Sequence, residues 1–298
     1  MTQAPPSRPG QPDRPGQPAR PGQPDRPGQP ARPGRPWRAG LVPLRTALGL
    51  FTIFPVRAAP EIGKDDAALA VLWLPVVGLL LSVPAAAVLL AVEAGGHSGP
   101  RRLLAAALAI GVLALLTGGL HLDGLADTAD GLGSRRPRDE ALAIMRRSDV
   151  GPFGVAALLF TVLVQITALA TVAPGWPDGA ALAVAVVTGR TAVVLATGPG
   201  SPAARPDGFG ALVAGATSAR ARVTAGAALL IVPAVTAAAA WGGYPAARGV
   251  IAVLAGLCAG DLLRRLARRR LGGMTGDVFG ALVEVCAAVA LLALALTA

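Results

Sequence analysis

Seven runs of apolar residues, near 67–92, 102–120, 152–173, 179–199, 224–241, 246–263 and 277–297, constrain this chain more than any other feature. Each is measured against the ~20 residues a helix needs to cross ~30 Å of hydrocarbon, and Gly, Pro or charged residues punctuate the intervals. Lipid offers no water to satisfy backbone N–H and C=O groups, so such runs must be helical. The expected fold is therefore all-α, a polytopic integral membrane bundle of about seven transmembrane helices. The composition agrees: 53% hydrophobic and 15% charged residues, with a mean hydropathy of +0.57, lie outside the soluble range. A shorter stretch at 41–56, with Arg45 inside it and Pro55 near its end, reads as an interfacial or re-entrant helix.

Residues 1–40 differ in kind. An RPGQP(D/A) repeat of period six places Arg8, Arg14, Arg20, Arg26 and Arg32 among Pro and Gly with almost nothing to bury. Such a tail is expected to be a disordered basic linker, resting on anionic lipid if on anything. It has no apolar core or cleavage site of a signal peptide. The formal charge of +10 divides evenly between residues 1–38 and the remainder, and neither half resembles a nucleic-acid-binding domain. Residues 41–298 are expected to form a membrane-embedded domain that carries whatever chemistry the chain performs. Cys258 and Cys286 both sit in apolar runs without metal-ligand spacing and read as small core residues. Whether the chain forms a homo-oligomer is left open.

Orientation follows from arginine, since short Lys/Arg-rich loops stay in the cytoplasm. The tail and the loops at 121–151, 200–223 and 264–276 are basic, whereas 93–101, 174–178 and 242–245 are short and carry little charge. The N-terminus and the basic loops are thus assigned to the cytoplasm, in a multi-pass protein of the inner (plasma) membrane.

Chemistry concentrates on that side. Asp123, Asp127 and Asp130 in TGGLHLDGLADTADGLGSR (117–135) are spaced i, i+4 and i+7, within a helical stripe roughly 60° wide. Like charges so close call for a cation, and hard Mg²⁺ prefers carboxylate oxygens in the company of substrate phosphates. The second motif, GGMTGDVFGALVE (272–284), opens the last run with Asp277 and places Glu284 seven residues on. Acids at a membrane boundary mark functional sites, and Asp277 is expected to complete the substrate site opened by Asp123, Asp127 and Asp130, the two motifs meeting at one cytoplasmic pocket. Arg190 stands mid-span, where burying a guanidinium costs ~3 kcal/mol or more, so it should face the bundle and pair with Glu284 or with a bound phosphate.

These residues resemble the cobalamin synthase family, also called adenosylcobinamide-GDP ribazoletransferases. The resemblance rests on GGLHLDGLADTADGL (118–132), ALAIMRRSDVGPFGV (141–155) and GGMTGDVFGALVE (272–284), with weaker echoes in LGLFTIFPVR (48–57) and LWLPVVGLLL (72–81). It implies an Mg²⁺-dependent membrane enzyme that joins adenosylcobinamide-GDP to α-ribazole, or to its 5′-phosphate, and releases GMP, with Asp123, Asp127 and Asp130 holding the metal. Arg135, Arg146 and Arg147 are placed to hold phosphates. His121 is a candidate base for the attacking hydroxyl, with a hydrogen-bonding role or proton transfer to an aspartate as alternatives.

DTADGLGSR (127–135) also looks like the first half of the CDP-alcohol phosphotransferase signature, with Ser134 in place of Ala. The second half is incomplete: Gly273-x₃-Asp277 stops at Ala281, where another Asp is needed. That departure argues against phospholipid synthesis. A transporter would place its acids near the midplane and show an inverted repeat, and neither is visible.

Overall fold

The structure, a computed structural model, describes residues 38–56, 62–172, 178–241 and 243–297. The Arg-Pro-Gly repeats, and with them the expectation of a disordered linker, lie outside the described residues. Within them every regular element is a helix: α1 (Arg38–Phe51), α2 (Lys64–Leu72), α3 (Leu74–Glu93), α4 (Gly99–Leu116), α5 (Leu120–Gly133), α6 (Arg138–Ile144), α7 (Pro152–Thr171), α8 (Asp178–Ala196), α9 (Gly208–Val213), α10 (Ala219–Trp241), α11 (Gly243–Leu271) and α12 (Gly276–Leu296). Six of the described helices, α3, α4, α7, α8, α11 and α12, are long and apolar enough to cross a membrane. The apolar run at 224–241 falls within α10, a helix of 23 residues. The chain is a polytopic α-helical membrane bundle.

Helices α8 and α12 form its centre and are buried over most of their spans. Around them, α12 packs against α5, α7, α8 and α11, and α8 packs against α3. Lipid tails are as apolar as leucine, so helices associate here through close packing of small residues, and Gly280, Ala281 and Ala290 of α12 are buried in these contacts. The outer helices instead expose large apolar side chains, among them Leu103 and Leu104 of α4 and Leu159 and Phe160 of α7. Ile251, Leu254 and Leu262 form such a stripe along α11. Cys258 lies on this same helix face and is exposed, which corrects its reading as a core residue, whereas Cys286 is buried.

Two of the apolar runs are interrupted for identifiable reasons. The run at 67–92 splits at Trp73, because Pro75 lacks an N–H and its ring would clash with the carbonyl four residues back. The short α2 therefore precedes a span that starts at Leu74. The run at 102–120 ends at Gly118 and Gly119, with φ of +60° and +73°. These left-handed conformations suit glycine, and they turn the chain from α4 into α5, so the acidic motif lies on a separate helix.

That helix crosses α12 at very close range. A Cβ on Gly124 would stand 2.7 Å from the carbonyl oxygen of Asp277, and one on Gly280 would stand 3.1 Å from the carbonyl oxygen of His121. Gly124→Ala should therefore push the two helices apart and cost about 1–3 kcal/mol. Thermal unfolding of the purified variant checks this, with a lowered Tm as the expected outcome and an unchanged Tm counting against so tight a crossing.

Candidate active site

The crossing brings together acids that lie about 150 residues apart. Asp123 occupies the first turn of α5 and Asp277 the first turn of α12, where the helix dipoles favour negative charge. Thr275 caps α12 by accepting a hydrogen bond from the Val278 N–H, and its hydroxyl donates to Asp277 Oδ2 at 3.2 Å. Arg205 Nη1 stands 3.7 Å from the same carboxylate oxygen, while its Nη2 donates to the Leu142 carbonyl at 2.8 Å. The Arg205 Nε is buried without a partner.

Asp127 reports the charge balance. Burial first, then the negative charges of Asp123, Asp277 and Asp130, push its carboxyl up to about 6, with Arg205 acting in the opposite direction. The site therefore holds more negative charge than its own guanidinium offsets. Among the described residues no group of three or more His, Cys, Asp or Glu side chains is assembled as a metal cage. Hard oxygen donors with uncompensated charge, too few to enclose an ion, fit Mg²⁺, which completes its shell with water and substrate phosphate. Asp123, Asp127 and Asp277 are the residues that could hold it.

Asp130 is engaged elsewhere. Its two oxygens accept the N–H groups of Gly151 at 2.7 Å and Gly154 at 2.8 Å, at the start of α7. The carboxylate thus caps a helix and ties α5 to α7. A Cβ at either glycine would lie within about 2.5 Å of it, which accounts for the GPFG sequence. Of the expected metal set of Asp123, Asp127 and Asp130, Asp130 thus has a helix-capping role in the structure, while Asp277 lies in the electrostatic field of Asp123 and Asp127.

The remaining expected site residues separate into three groups. His121 is buried beside the carboxylates, and its Nδ1 has no hydrogen-bond partner. Burial, then the charge on Arg190, hold its pKa well below the ordinary histidine value, so the imidazole is neutral. Arg190 is buried on α8 within the field of Glu284. Glu284 in turn accepts a hydrogen bond from Gln165 Nε2 at 2.8 Å, a partner the sequence did not suggest. Arg135 and Arg147 are exposed, Arg135 in a left-handed conformation (φ 54°) just after α5. Arg146 forms a two-pronged ion pair with Asp207 at 2.8 and 3.0 Å, so its guanidinium is occupied at the surface. The guanidinium at the carboxylates is Arg205, which the sequence marked only as one of several arginines in a basic loop.

Above the acids lies a cavity of about 220 Å³ lined by His121, Asp123 and Asp277 on one side and by Phe51, Phe209 and Phe279 on the other. The rings meet edge to face, Phe209 with Phe51 at 5.3 Å and with Phe279 at 6.1 Å. A second cleft of about 580 Å³ adjoins it through Asp123 and is bordered by Thr52, Ala126 and Val150. The arrangement can hold a phosphate-bearing molecule at the acids and a flat apolar group against the rings.

Residues 43–295 match the family model described as cobalamin-5-phosphate synthase. The chain belongs to this family. Similar members are named adenosylcobinamide-GDP ribazoletransferase: one from Frankia casuarinae, 42% identical over 86% of this chain and 95% of its own; one from Bradyrhizobium diazoefficiens, 40% identical over 81% and 88%; and one from Escherichia coli O17:K52:H18, 40% identical over 75% and 86%. No solved structure matches the chain. In this chain the CDP-alcohol comparison weakens further, because Ala281, where that signature needs an acid, is fully buried in helix packing.

Asp127 and Asp130 should respond oppositely to neutralisation. A carboxyl whose folded pKa is raised to about 6 from an unfolded value near 3.8 loses stability for the fold as pH rises through that window. In chelator at pH 7, Asp127→Asn should raise the Tm, and the gain should vanish below pH 4. Asp130→Asn should destabilise the fold by about 1–3 kcal/mol and so lower the Tm at both values, because a buried amide loses its acceptor. Thermal scans of both variants at the two pH values check the assignment.

Proposed function

We propose that this chain is an adenosylcobinamide-GDP ribazoletransferase, which joins adenosylcobinamide-GDP to α-ribazole or its 5′-phosphate and releases GMP at the last step of cobalamin nucleotide-loop assembly. Family membership supports the reaction. The observation that supports this site as its seat is the convergence of Asp123, Asp127 and Asp277 with Arg205 beside an aromatic-walled cavity. Cleaving a pyrophosphate and forming a phosphodiester brings several negative oxygens to one place, which requires cations and fixed orientation.

In the proposed mechanism the ribazole hydroxyl attacks the cobinamide-side phosphorus in line, the new P–O bond forms, and the bond to GMP breaks. Asp123, Asp127 and Asp277 would hold Mg²⁺, which supplies charge neutralisation at the leaving oxygen and alignment of the reacting centre. Arg205 binds phosphate oxygens opposite the carboxylates, its free Nε available as a donor. Phe51, Phe209 and Phe279 hold the planar base of the acceptor away from water. The neutral His121, with Nδ1 unpartnered in the same cavity, accepts a hydrogen bond from the attacking hydroxyl, whose proton passes to a neighbouring aspartate. Arg135 and Arg147 are left free to approach phosphates from the loop side.

Purified protein given both substrates and Mg²⁺ should release GMP. Chelator should abolish turnover, and Asp127→Asn, Asp277→Ala and Arg205→Ala should each lower it on the order of a hundredfold or more, with the protein still inserted in the membrane. CMP release from a CDP-lipid, or near-normal turnover in the aspartate variants, would overturn the proposal.

The proposed topology is seven spans with the N-terminus and the site on the cytoplasmic face of the inner membrane, as the arginine-rich loops require. In a cysteine-free background, a thiol at Ser134 should react with an impermeant reagent only from the cytoplasm, and one at Gly243 only from outside. Reversed labelling would invert the orientation.

A further inference from the structure

At the α8 C-terminus, residues of α8, α10 and α11 line a further cavity of about 480 Å³ that the proposed transfer reaction does not use. Three guanidiniums line it, those of Arg222, Arg264 and Arg268, against a single carboxylate, Asp261. That carboxylate is already taken: Arg264 donates to its Oδ1 at 2.5 and 3.0 Å and Arg265 to its Oδ2 at 2.6 Å. Arg222 and Arg268 therefore face a cavity whose lining offers them no further carboxylate.

Arg222 is held there by construction. Gly198 just beyond α8 has no side chain, and a Cβ at that position would stand 2.4 Å from the guanidinium. Thr197 and Thr217 clasp the end of α8 to the approach to α10, with their hydroxyls 3.2 Å apart and the Thr217 N–H donating to the Thr197 carbonyl at 3.3 Å. The Arg222 Nε is buried and has no hydrogen-bond partner. A buried donor on a cation without an acceptor is costly unless an anion supplies one.

The opposite wall is apolar, from Leu195 of α8 and Leu257 of α11, both within membrane spans. The basic residues follow at the last turns of α11. An apolar wall running up to clustered guanidiniums matches an amphiphile with a phosphate head, as in other basic pockets between transmembrane helices.

We infer that the cavity bounded by Arg222, Arg264 and Arg268 is a binding site for a phosphate anion, separate from the catalytic carboxylates. The chemistry admits two sources, the headgroup of an anionic phospholipid and free inorganic phosphate. The guanidiniums bind either through paired N–H···O contacts, and only the lipid also uses the Leu195 and Leu257 wall.

The test uses the full chain, purified in phosphate-free detergent. Native mass spectrometry follows titration with dioleoylphosphatidylglycerol or with dioleoylphosphatidylcholine, and equilibrium dialysis measures radiolabelled inorganic phosphate without added lipid. The Arg222→Gln/Arg268→Gln double variant should bind phosphatidylglycerol about tenfold more weakly. Arg269→Gln, with the same charge change on the same helix but outside the cavity, should bind within about twofold of the parent. Arg268→Gln alone, at an exposed position, keeps the test intact if Arg222→Gln disturbs folding. Retention of phosphatidylglycerol over phosphatidylcholine, lost in the cavity variants, assigns the site to the lipid headgroup. Phosphate binding lost in those variants, without lipid retention, assigns it to the free anion. Equal binding of both probes by the parent and the cavity variants, or an equal loss in Arg269→Gln, overturns the inference. Neither readout involves GMP release, so the result is independent of the proposed transfer reaction.

Discussion

The close crossing of α5 and α12 is the contact on which the site depends. Two glycines, Gly124 and Gly280, remove the side chains that would hold the backbones apart, and the helix carrying Asp123 and Asp127 then meets the one opened by Asp277. Burial, and then the repulsion among carboxylates gathered in this way, pushes the Asp127 carboxyl up. The fold tolerates the repulsion because its own helix ends are satisfied independently of it. Thr275 caps α12, and Asp130 spends its charge on the amides that open α7. Packing and capping maintain a geometry that the charges alone would disperse.

A second set of contacts decides which arginine serves that site. Met274 donates its N–H to the Pro202 carbonyl at 2.8 Å and accepts the Ala204 N–H at 2.9 Å, joining the loop after α8 to the turn before α12. Arg138 reinforces the junction by donating to the carbonyls of Leu271 and Ala204. Arg205 follows directly and lies beside Asp277, one turn of chain after a main-chain pairing that needs no particular side chain. Arg146, expected from the sequence to hold phosphates with Arg135 and Arg147, is instead paired with Asp207 at the cap of α9. Electrostatic attraction acts on whichever partners the backbone has placed within reach, and a loop pairing 70 residues removed in sequence controls that placement.

The apolar runs were legible because lipid imposes a length and a polarity on any segment that crosses it. Six of them appear as long apolar helices. Their ends were less legible. Pro75 and the pair Gly118–Gly119 are visible as breakers, but whether a run is cut or merely bent by them depends on what packs beside it. Cys258 failed as a core residue for a related reason: in a membrane span an apolar environment is available on the lipid side, so apolarity does not report burial.

The sequence by itself determined the helical membrane class, the acidic motifs and their family, since local periodicity and residue chemistry suffice for each. Tertiary structure brings Asp277 to Asp123 and Asp127, as the two motifs led one to expect, and it alone decided that Asp130 caps α7 and that Arg205 and the three phenylalanines complete the pocket. These roles depend on distances between segments far apart in the chain. Helical spacing places residues on one face of one helix, but the depth and angle at which two helices meet is set by every side chain in their contact, and by the glycines that leave room for it.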